Sequence, residues 1–251
     1  MIDVIVPVYG QLPLVAQCVD CLAAQHKVGR IFLVDDCSPG SEIASYASTA
    51  PVHYLRMSEN TGFVGSVTVG MKEVETEYAV LVNSDTAPIG KYALHRLVYT
   101  MHENDMHVAG PKLLFMRGSK YGKGGTIQHA GVAFDPDGIP YHPFMHLHRD
   151  TKAANIRRRV NAVSGAVMAV NTEAWHALGG FDQAFAPGVY EDVDFCLRSG
   201  KVLYVPRSEW WHVMHGSQVK GNNLFSKSEE HLGKLQRKWG IKCDEEIYYG
   251  A

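Results

Sequence analysis

Acidic side chains at three places in the sequence have the chemistry for catalysis or metal binding. Asp35 and Asp36 follow one apolar run, Asp85 follows another, and Glu191 and Asp192 open a segment with helical periodicity. A carboxylate can accept hydrogen bonds from a nucleoside, bind a hard divalent cation, or take a proton from a hydroxyl group. The plain alternative is structural, because aspartates cap turns and acidic residues are common in the first turn of a helix.

Two histidines further along the chain are candidate metal ligands. His212 follows a predicted strand and could complete a metal site together with a carboxylate. His215 follows shortly after and competes for the same role. We favour His212 because it comes directly after the strand. The plain alternative for either residue is an ordinary hydrogen-bonded histidine.

The elements that would position these residues alternate over the first 110 residues. Helical periodicity predicts helices at 12–25 and 63–74. Short apolar runs predict strands at 2–7, 30–35, 52–56, 78–82 and 108–109. Strand and helix in alternation predict a parallel, doubly wound α/β sheet, and unbroken apolar strands predict burial on both faces.

The pattern changes after residue 111. Residues 112–160 are rich in Gly, His, Pro and Tyr, which predicts loops and short antiparallel strands. Regular elements return as strands at 165–170 and 202–205, and as helices at 172–178, 191–199 and near 226–239. No linker is evident. We therefore expect one domain over 1–251, with a first half at 1–111, a second half at 112–219 and a helical tail at 220–251.

Polar clusters follow four of the predicted strands. In open α/β sheets, ligands bind at the carboxyl ends of the strands, so these clusters should meet at one edge. The clusters are Pro7-Val8-Tyr9, Asp35-Asp36, Asn60-Thr61-Gly62 and Asn83-Ser84-Asp85. Neither a glycine-rich dinucleotide fingerprint nor a P-loop pattern is present, so both of those functions lose their main support.

Bulk composition excludes several other classes of function. A formal net charge of −2 gives no reason to expect a nucleic-acid partner. No apolar run reaches the length of a membrane span, and the first residues lack the features of a signal peptide. Five cysteines, an odd number, fit a reducing compartment. We expect a cytoplasmic protein, and peripheral contact with a membrane stays compatible with this sequence.

The ordered set of motifs resembles glycosyltransferase family 2, in particular rhamnosyltransferase-like and O-antigen-type members. The resemblance covers roughly residues 1–217 and rests on IVPVYG, LVDDCSPG, NTGFVGSVTVGM, VLVNSDTAP, LGGFDQAF and EDVDFCLRSG. A single D-x-D is a weak signal, whereas this set in this order is specific. It implies a GT-A fold: a Rossmann-like, mostly parallel central sheet flanked by helices, with a small antiparallel sheet on the acceptor side.

The resemblance also implies roles for individual residues. Asp192 matches the catalytic base, with Glu191 beside it, and Asp85 would ligate Mn²⁺ or Mg²⁺ with help from His212. The first acid of the D-x-D is replaced by Asn83, which leaves one carboxylate there. The implied nucleotide-sugar contacts are Pro7, Val8, Tyr9, Asp35, Asp36, Asn60, Gly62, Asn83, Ser84, Asp85, Gly165 and Ala166. Residues 1–111 would then be the nucleotide-binding half and 112–219 the acceptor and catalytic half.

The implied function is an inverting transfer of a sugar from a UDP- or dTDP-sugar to a hydroxyl group. The acceptor would be a glycan, polysaccharide or glycoconjugate. Aromatic and histidine side chains between 141 and 148 suit a sugar ring and would shape the acceptor site. A sugar nucleotidyltransferase is one alternative, although residues 7–13 lack the basic loop that it usually needs. The other alternative is a non-catalytic nucleotide-sugar-binding module.

Overall fold

A mixed sheet with helices on both faces is the frame of the protein in this computed structural model, which describes residues 1–213 and 227–240. The strands are β1 (Ile2–Val8), β2 (Val28–Asp35), β3 (His53–Arg56), β4 (Tyr78–Val82), β5 (Thr86–Pro88), β6 (Val108–Phe115), β7 (Ile127–His129), β8 (Ala133–Phe134), β9 (Pro140–Tyr141), β10 (Arg158–Arg159), β11 (Val167–Asn171) and β12 (Val202–His212). The helices are α1 (Leu12–Ala23), α2 (Glu42–Ala47), α3 (Gly62–Lys72), α4 (Ala93–Glu103), α5 (Thr172–Ala177), α6 (Glu191–Ser199) and α7 (Ser228–Trp239).

The central sheet is parallel at one end and mixed at the other. Across the described sheet the order is β10, β12, β6, β11, β4, β1, β2 and β3, with β5 paired to β12 and β7 to β6. The strands β3, β2, β1 and β4 are parallel, whereas β11 runs antiparallel to both β4 and β6. The pair β8 and β9 forms a separate antiparallel sheet. This architecture confirms the predicted mostly parallel sheet with a small antiparallel addition.

Apolar side chains on both faces of the sheet hold the helices in place. In β1, Val4 and Val6 belong to one core cluster and Ile5 to the other. Val19 of α1 packs in the first cluster and Val67 of α3 in the second. Alternate residues of a strand point to opposite faces, so a strand covered on both sides is apolar throughout. The unbroken apolar runs of the sequence are explained in this way.

Two strands are longer than the sequence patterns predicted, because each continues through a proline. The prediction ended at residues 109 and 205, shortly before Pro111 and Pro206. Strand β12 passes Pro206 through a register shift between Val205 and Glu209, and such irregularities tolerate proline in a sheet. Because of this extension, β12 includes His212.

Other elements were not singled out from the sequence, namely α2, α4 and β5. The tail helix predicted near 226–239 is α7, while His215 and residues 241–251 lie outside the described residues. None of the helices within 1–213 and 227–240 is both long and apolar enough to cross a membrane. Strands from both predicted halves share the central sheet. The domain boundaries and the cytoplasmic location stay predictions.

Candidate active site

A cavity of about 380 Å³ lies at the carboxyl ends of β1 and β4 and reaches the first turn of α6. That volume is within the usual range for small-molecule sites, about 300–1,000 Å³. Most of the predicted site residues line this cavity: Pro7, Val8, Tyr9, Asp36, Gly62, Asn83, Ser84, Asp85, Gly165, Ala166, Glu191, Asp192 and His212. The fold therefore assembles residues from both halves of the chain around one space.

Asp35 and Asn60 are the predicted site residues that do not line the cavity. The carboxylate of Asp35 is fully buried and accepts hydrogen bonds from the Ser38 N–H at 2.8 Å, the Tyr54 hydroxyl at 2.6 Å and the Arg56 guanidinium at 2.6 Å. Burial alone would raise the pKa of Asp35, but the hydrogen bonds from Ser38 and Tyr54 hold it below its usual value. Asp35 thus fixes the loop after β2, and its carboxylate does not line the cavity.

Asp36 combines the structural role with a place in the cavity wall. Its side chain accepts the backbone N–H groups of Thr61 at 2.8 Å and Gly62 at 2.9 Å, where α3 begins. The Asn60 side chain donates a hydrogen bond to the backbone carbonyl oxygen of Asp36 at 3.2 Å, so Asn60 also helps to hold this loop. The sequence left two roles open for Asp36, capping a turn before a helix or facing a bound ligand. The structure allows Asp36 to have both roles.

Gly62, at the start of α3, contacts the loop that precedes α6. Its backbone has φ +77°, and an added Cβ would lie 2.4 Å from the Cβ of Pro187. The Val64 N–H also donates to the Pro187 carbonyl oxygen at 3.2 Å. A side chain at position 62 would collide with Pro187 and would need a positive φ, so only glycine fits there.

We expect Gly62→Ala to lower the melting temperature by several degrees, since about 1–3 kcal/mol is typical for an overpacked contact or a strained backbone residue. Gly90→Ala is the matched control, because Gly90 has φ +78° but open space where the Cβ would be. Comparing the melting temperatures of the two variants separates the effect of the clash with Pro187 from the cost of placing alanine at a positive φ. Equal melting temperatures for the two variants would mean that the contact with Pro187 contributes nothing.

Asp85 and His212 form the candidate metal site. The pairing of β5 with β12 sets His212 opposite Thr86, which places the imidazole next to Asp85. The Asp85 Oδ1 and His212 Nε2 atoms lie 3.4 Å apart. His212 Nδ1 lies 2.6 Å from Oε1 of Gln128. An amide oxygen there accepts a hydrogen bond from the Nδ1–H, which leaves the Nε2 lone pair directed towards Asp85.

The donor set suits a divalent cation that is shared with a substrate. Oxygen and imidazole ligands fit Mn²⁺, and a hydrogen bond from the second ring nitrogen to Gln128 is the usual support of a metal-bound histidine. Two ligands at about 2.1 Å from one ion lie roughly 3 Å apart, close to the observed separation. Among the described residues, no group of three or more His, Cys, Asp or Glu could hold a metal. A bound substrate and water would have to supply the other ligands.

Asp192 lies at the start of α6 with its carboxylate held by backbone N–H groups. Its Oδ2 accepts from Gly165 at 2.7 Å and its Oδ1 from Val193 at 2.8 Å. Removal from water raises the pKa of Asp192, and the hydrogen bonds from Gly165 and Val193 oppose that rise. A carboxylate with a raised pKa and a fixed orientation is well suited to act as a general base.

Glu191 lies beside Asp192 in a different electrostatic state. Its side chain is buried, and within the described part of the chain its Oε2 has no hydrogen-bond partner. Burial, and then the negative charge of Asp192, raises the pKa of Glu191 well above its usual range. When two carboxyl groups interact this closely, one of them keeps its proton while the other ionises. The geometry favours Glu191 as the protonated member of the pair.

The raised pKa of Glu191 predicts a pH-dependent stability. Between its ordinary and its raised pKa, the folded protein holds a proton that the unfolded chain has lost, so the free energy of unfolding falls as pH rises through that window. Glu191→Gln removes this titration. We expect the melting temperature of the variant, relative to the parent, to increase from about pH 5 to about pH 8. A difference that does not change with pH would show that Glu191 is already ionised.

Two polar residues of the cavity wall were not found from the sequence: Gln128 and His129. His129 Nε2 lies 3.3 Å from the N–H groups of Gly131 and Ser164, so its proton is on Nδ1, 3.0 Å from His142 Nδ1. Burial, and then the neighbouring His142, lowers the pKa of His129 well below its usual value. The neutral ring of His129 therefore supports the turn that carries Gly165. No local pattern marks Gln128 or His129, since β7 has three residues.

The segment predicted to shape an acceptor site contributes part of the wall. Tyr141 and His142 line the cavity together with Pro140 and Met145. In contrast, His146 stacks on Phe115, with ring centres 5.3 Å apart, and does not reach the cavity lining. This part of the wall offers apolar area next to the acidic residues of α6.

Comparison with known proteins gives the family. The model of glycosyl transferase family 2 matches residues 3–169, which is well over half of the chain. The chain belongs to glycosyl transferase family 2. The match to this glycosyltransferase domain includes Asp36 and Asp85 and ends before Asp192 and His212. The roles of the last two residues therefore rest on their positions in the structure.

Individual relatives agree with the family but are distant. The domain is 23% identical over 259 residues to an uncharacterized protein, y4gI, of Sinorhizobium fredii, covering 95% of this chain and 27% of that protein. It is 23% identical over 207 residues to the low-salt glycan biosynthesis hexosyltransferase Agl10 of Haloferax volcanii, covering 80% and 64%. The crystal structure of GalNAc-T7 with UDP, GalNAc and Mn²⁺ superposes with a TM-score of 0.72 at 16% identity, over 94% of this chain and 48% of that one. The chain thus spans less than two thirds of each of these proteins.

Proposed function

We propose that this family 2 domain transfers a sugar from a nucleotide-sugar to a hydroxyl group of an acceptor, with inversion at the anomeric carbon. The proposed donor is a UDP- or dTDP-sugar, and the proposed acceptor is a glycan, polysaccharide or glycoconjugate. One observation carries the proposal: the Asp85–His212 pair and the Glu191–Asp192 pair line the same cavity. A sugar transfer requires both a site for the leaving diphosphate and a base for the acceptor.

The donor would bind at the carboxyl ends of β1 and β4. Pro7, Val8 and Tyr9 line that region and offer a wall for the nucleoside. Asp85 and His212 would hold Mn²⁺ or Mg²⁺, and a cation there stabilises the negative charge of the departing nucleoside diphosphate. The structural similarity to GalNAc-T7, which was crystallised with UDP and Mn²⁺, supports this placement.

The acceptor would meet Asp192. Its carboxylate takes the proton of the acceptor hydroxyl, and the hydroxyl oxygen bonds to the anomeric carbon while the bond to the diphosphate oxygen breaks. A single displacement of this kind inverts the carbon. The hydrogen bond from the Gly165 N–H fixes Asp192 Oδ2 in one orientation, so the base is positioned before the acceptor arrives.

Thermal shift with a panel of nucleoside diphosphates and nucleotide-sugars, with and without Mn²⁺, tests the donor site. A ligand that binds only the folded state raises the melting temperature by mass action. We expect UDP or dTDP and their sugars to give a shift that Mn²⁺ enlarges. Absence of a shift with every diphosphate would contradict the proposed donor site.

The released product distinguishes transfer from its two alternatives. With a donor and a mixture of glycan acceptors, we expect a nucleoside diphosphate to accumulate together with a lengthened acceptor. Pyrophosphate as the product would instead identify a sugar nucleotidyltransferase. Nucleotide-sugar binding without turnover across a broad acceptor panel would favour a non-catalytic binding module.

A further inference from the structure

Helix α7 contacts residues on both sides of the Glu191–Asp192 pair through ion pairs and a hydrogen bond. Lys238 makes ion pairs with Asp182 at 2.7 Å, before the pair, and with Asp194 at 2.8 Å, after it. Trp239 Nε1 donates to the same Asp194 carboxylate at 3.0 Å. Helix α7 therefore spans the segment 182–194, which carries the proposed base.

His231 is the residue of α7 that contacts the middle of this segment. Its ring is fully buried, and Nδ1 donates to the carbonyl oxygen of Gly188 at 2.9 Å, with that of Val189 at 3.2 Å. Its other nitrogen, Nε2, is buried without a hydrogen-bond partner among the described residues. An apolar ring in this place would fill the space but could not make the hydrogen bonds from Nδ1.

The backbone that His231 contacts is in an unfavourable conformation. Val189 has φ +75° and Tyr190 has φ +71°, in the left-handed region that β-branched and bulky residues rarely adopt. Such a conformation persists only where surrounding contacts hold it, and it is found mainly at functional sites. Here it turns the chain directly into α6, and so sets where Glu191 and Asp192 begin.

We propose that His231 is a positioning residue for the acidic pair: its Nδ1–H, bonded to the carbonyl oxygens of Gly188 and Val189, holds Val189 and Tyr190 in the left-handed conformation that directs Asp192 into the cavity. The proposal rests on the proposed function for its kinetic consequence, but its structural part stands independently. A displacement of the base by about 1 Å can reduce turnover about 10²-fold without affecting donor binding.

Four variants test the proposal. His231→Phe keeps the ring shape and removes the donor, His231→Asn keeps a donor near the Nδ1 position, and His231→Gln moves the donor towards the Nε2 position. Leu235→Ala is the matched control, because Leu235 is buried on the same helix and its side chain has no hydrogen bond to the segment. We expect His231→Phe to lower kcat by about tenfold or more, with the KM for the donor within about twofold.

The comparison among variants decides the outcome. The proposal is supported if His231→Asn restores kcat and Leu235→Ala, at an equal or larger loss of melting temperature, does not lower it comparably. It is overturned if His231→Phe retains the parent kcat or loses no more than Leu235→Ala. Should His231→Phe not fold, the Asn and Gln variants decide, since only the former keeps the donor in place; equal kcat for those two would overturn the proposal.

Hydrogen exchange separates failure of this inference from failure of the proposed function. Backbone amides of 188–194 should exchange faster in His231→Phe than in Leu235→Ala, while amides of β1 and β4 are unchanged. This measurement needs no substrate. If the parent protein transfers no sugar, the function proposed above fails, and the exchange pattern still shows whether His231 holds the segment. Unchanged exchange over 188–194 would overturn the positioning role even in an active transferase.

Discussion

Asp192→Asn should lower kcat by at least about 10²-fold while leaving nucleotide binding intact, since a general base contributes about 10²–10⁴-fold. The amide cannot accept the acceptor's proton, yet it has nearly the same shape and keeps one oxygen, which can accept from the N–H of either Gly165 or Val193 but not from both. Steady-state rates with donor and acceptor measure the loss. The thermal shift with a nucleoside diphosphate, measured on the same sample, reports the donor site.

Glu191→Gln is the matched comparison for this prediction. The same chemical change one residue away should cost less than about tenfold in kcat, because a neutral amide resembles the protonated carboxyl group that we assign to Glu191. The reverse ranking, with Glu191→Gln the more damaging change, would transfer the role of base to Glu191. Near-parent activity in Asp192→Asn would remove Asp192 from the mechanism.

Asp85→Asn should abolish the part of the thermal shift that depends on Mn²⁺ and lower kcat by at least about 10²-fold. A metal ion that neutralises a leaving group contributes several kcal/mol, and each 1.36 kcal/mol corresponds to about tenfold in rate. The amide keeps the size of the side chain but loses the charge that binds the cation. Titration of Mn²⁺ against the donor-induced shift measures this effect directly.

Asp105→Asn is the control for the change in charge. Asp105 is 89% exposed and pairs with Lys201 on the surface, so the same substitution there should leave both the Mn²⁺ dependence and the rate near those of the parent protein. If Asp85→Asn retains a full Mn²⁺-dependent shift, the cation is bound elsewhere or is not required. The candidate site at Asp85 and His212 would then be wrong.

The sequence predicted well which strand ends meet at the cavity, because its signals are local. Apolar runs ending in Val8 and Val82 mark strands buried on both faces, and parallel strands bring their carboxyl ends to a common edge. That rule alone brings Tyr9 and Asp85 to one cavity. The start of α6 at Glu191 was likewise predicted from acidic residues followed by helical periodicity.

The same rule failed to distinguish between two adjacent aspartates. Asp35 and Asp36 are equivalent in a pattern, yet the fold buries Asp35 against Tyr54 and Arg56 and turns Asp36 towards α3 and the cavity. Side chains of consecutive residues leave the end of a strand in different directions. Which of the two faces the cavity depends on neighbours 19 or more residues away, and these are known only from the tertiary structure.

The sequence by itself determined the fold class, the parallel edge of the sheet and about half of the residues at its cavity, because strand burial and helix starts are encoded within a few neighbouring residues. The tertiary structure alone decided how those residues work together. The extension of β12 through its bulge brings His212 to Asp85, Gln128 orients that histidine across 84 residues, and α7 returns to contact the segment before Asp192. Contacts of this kind form between distant parts of the chain, and no local periodicity records them.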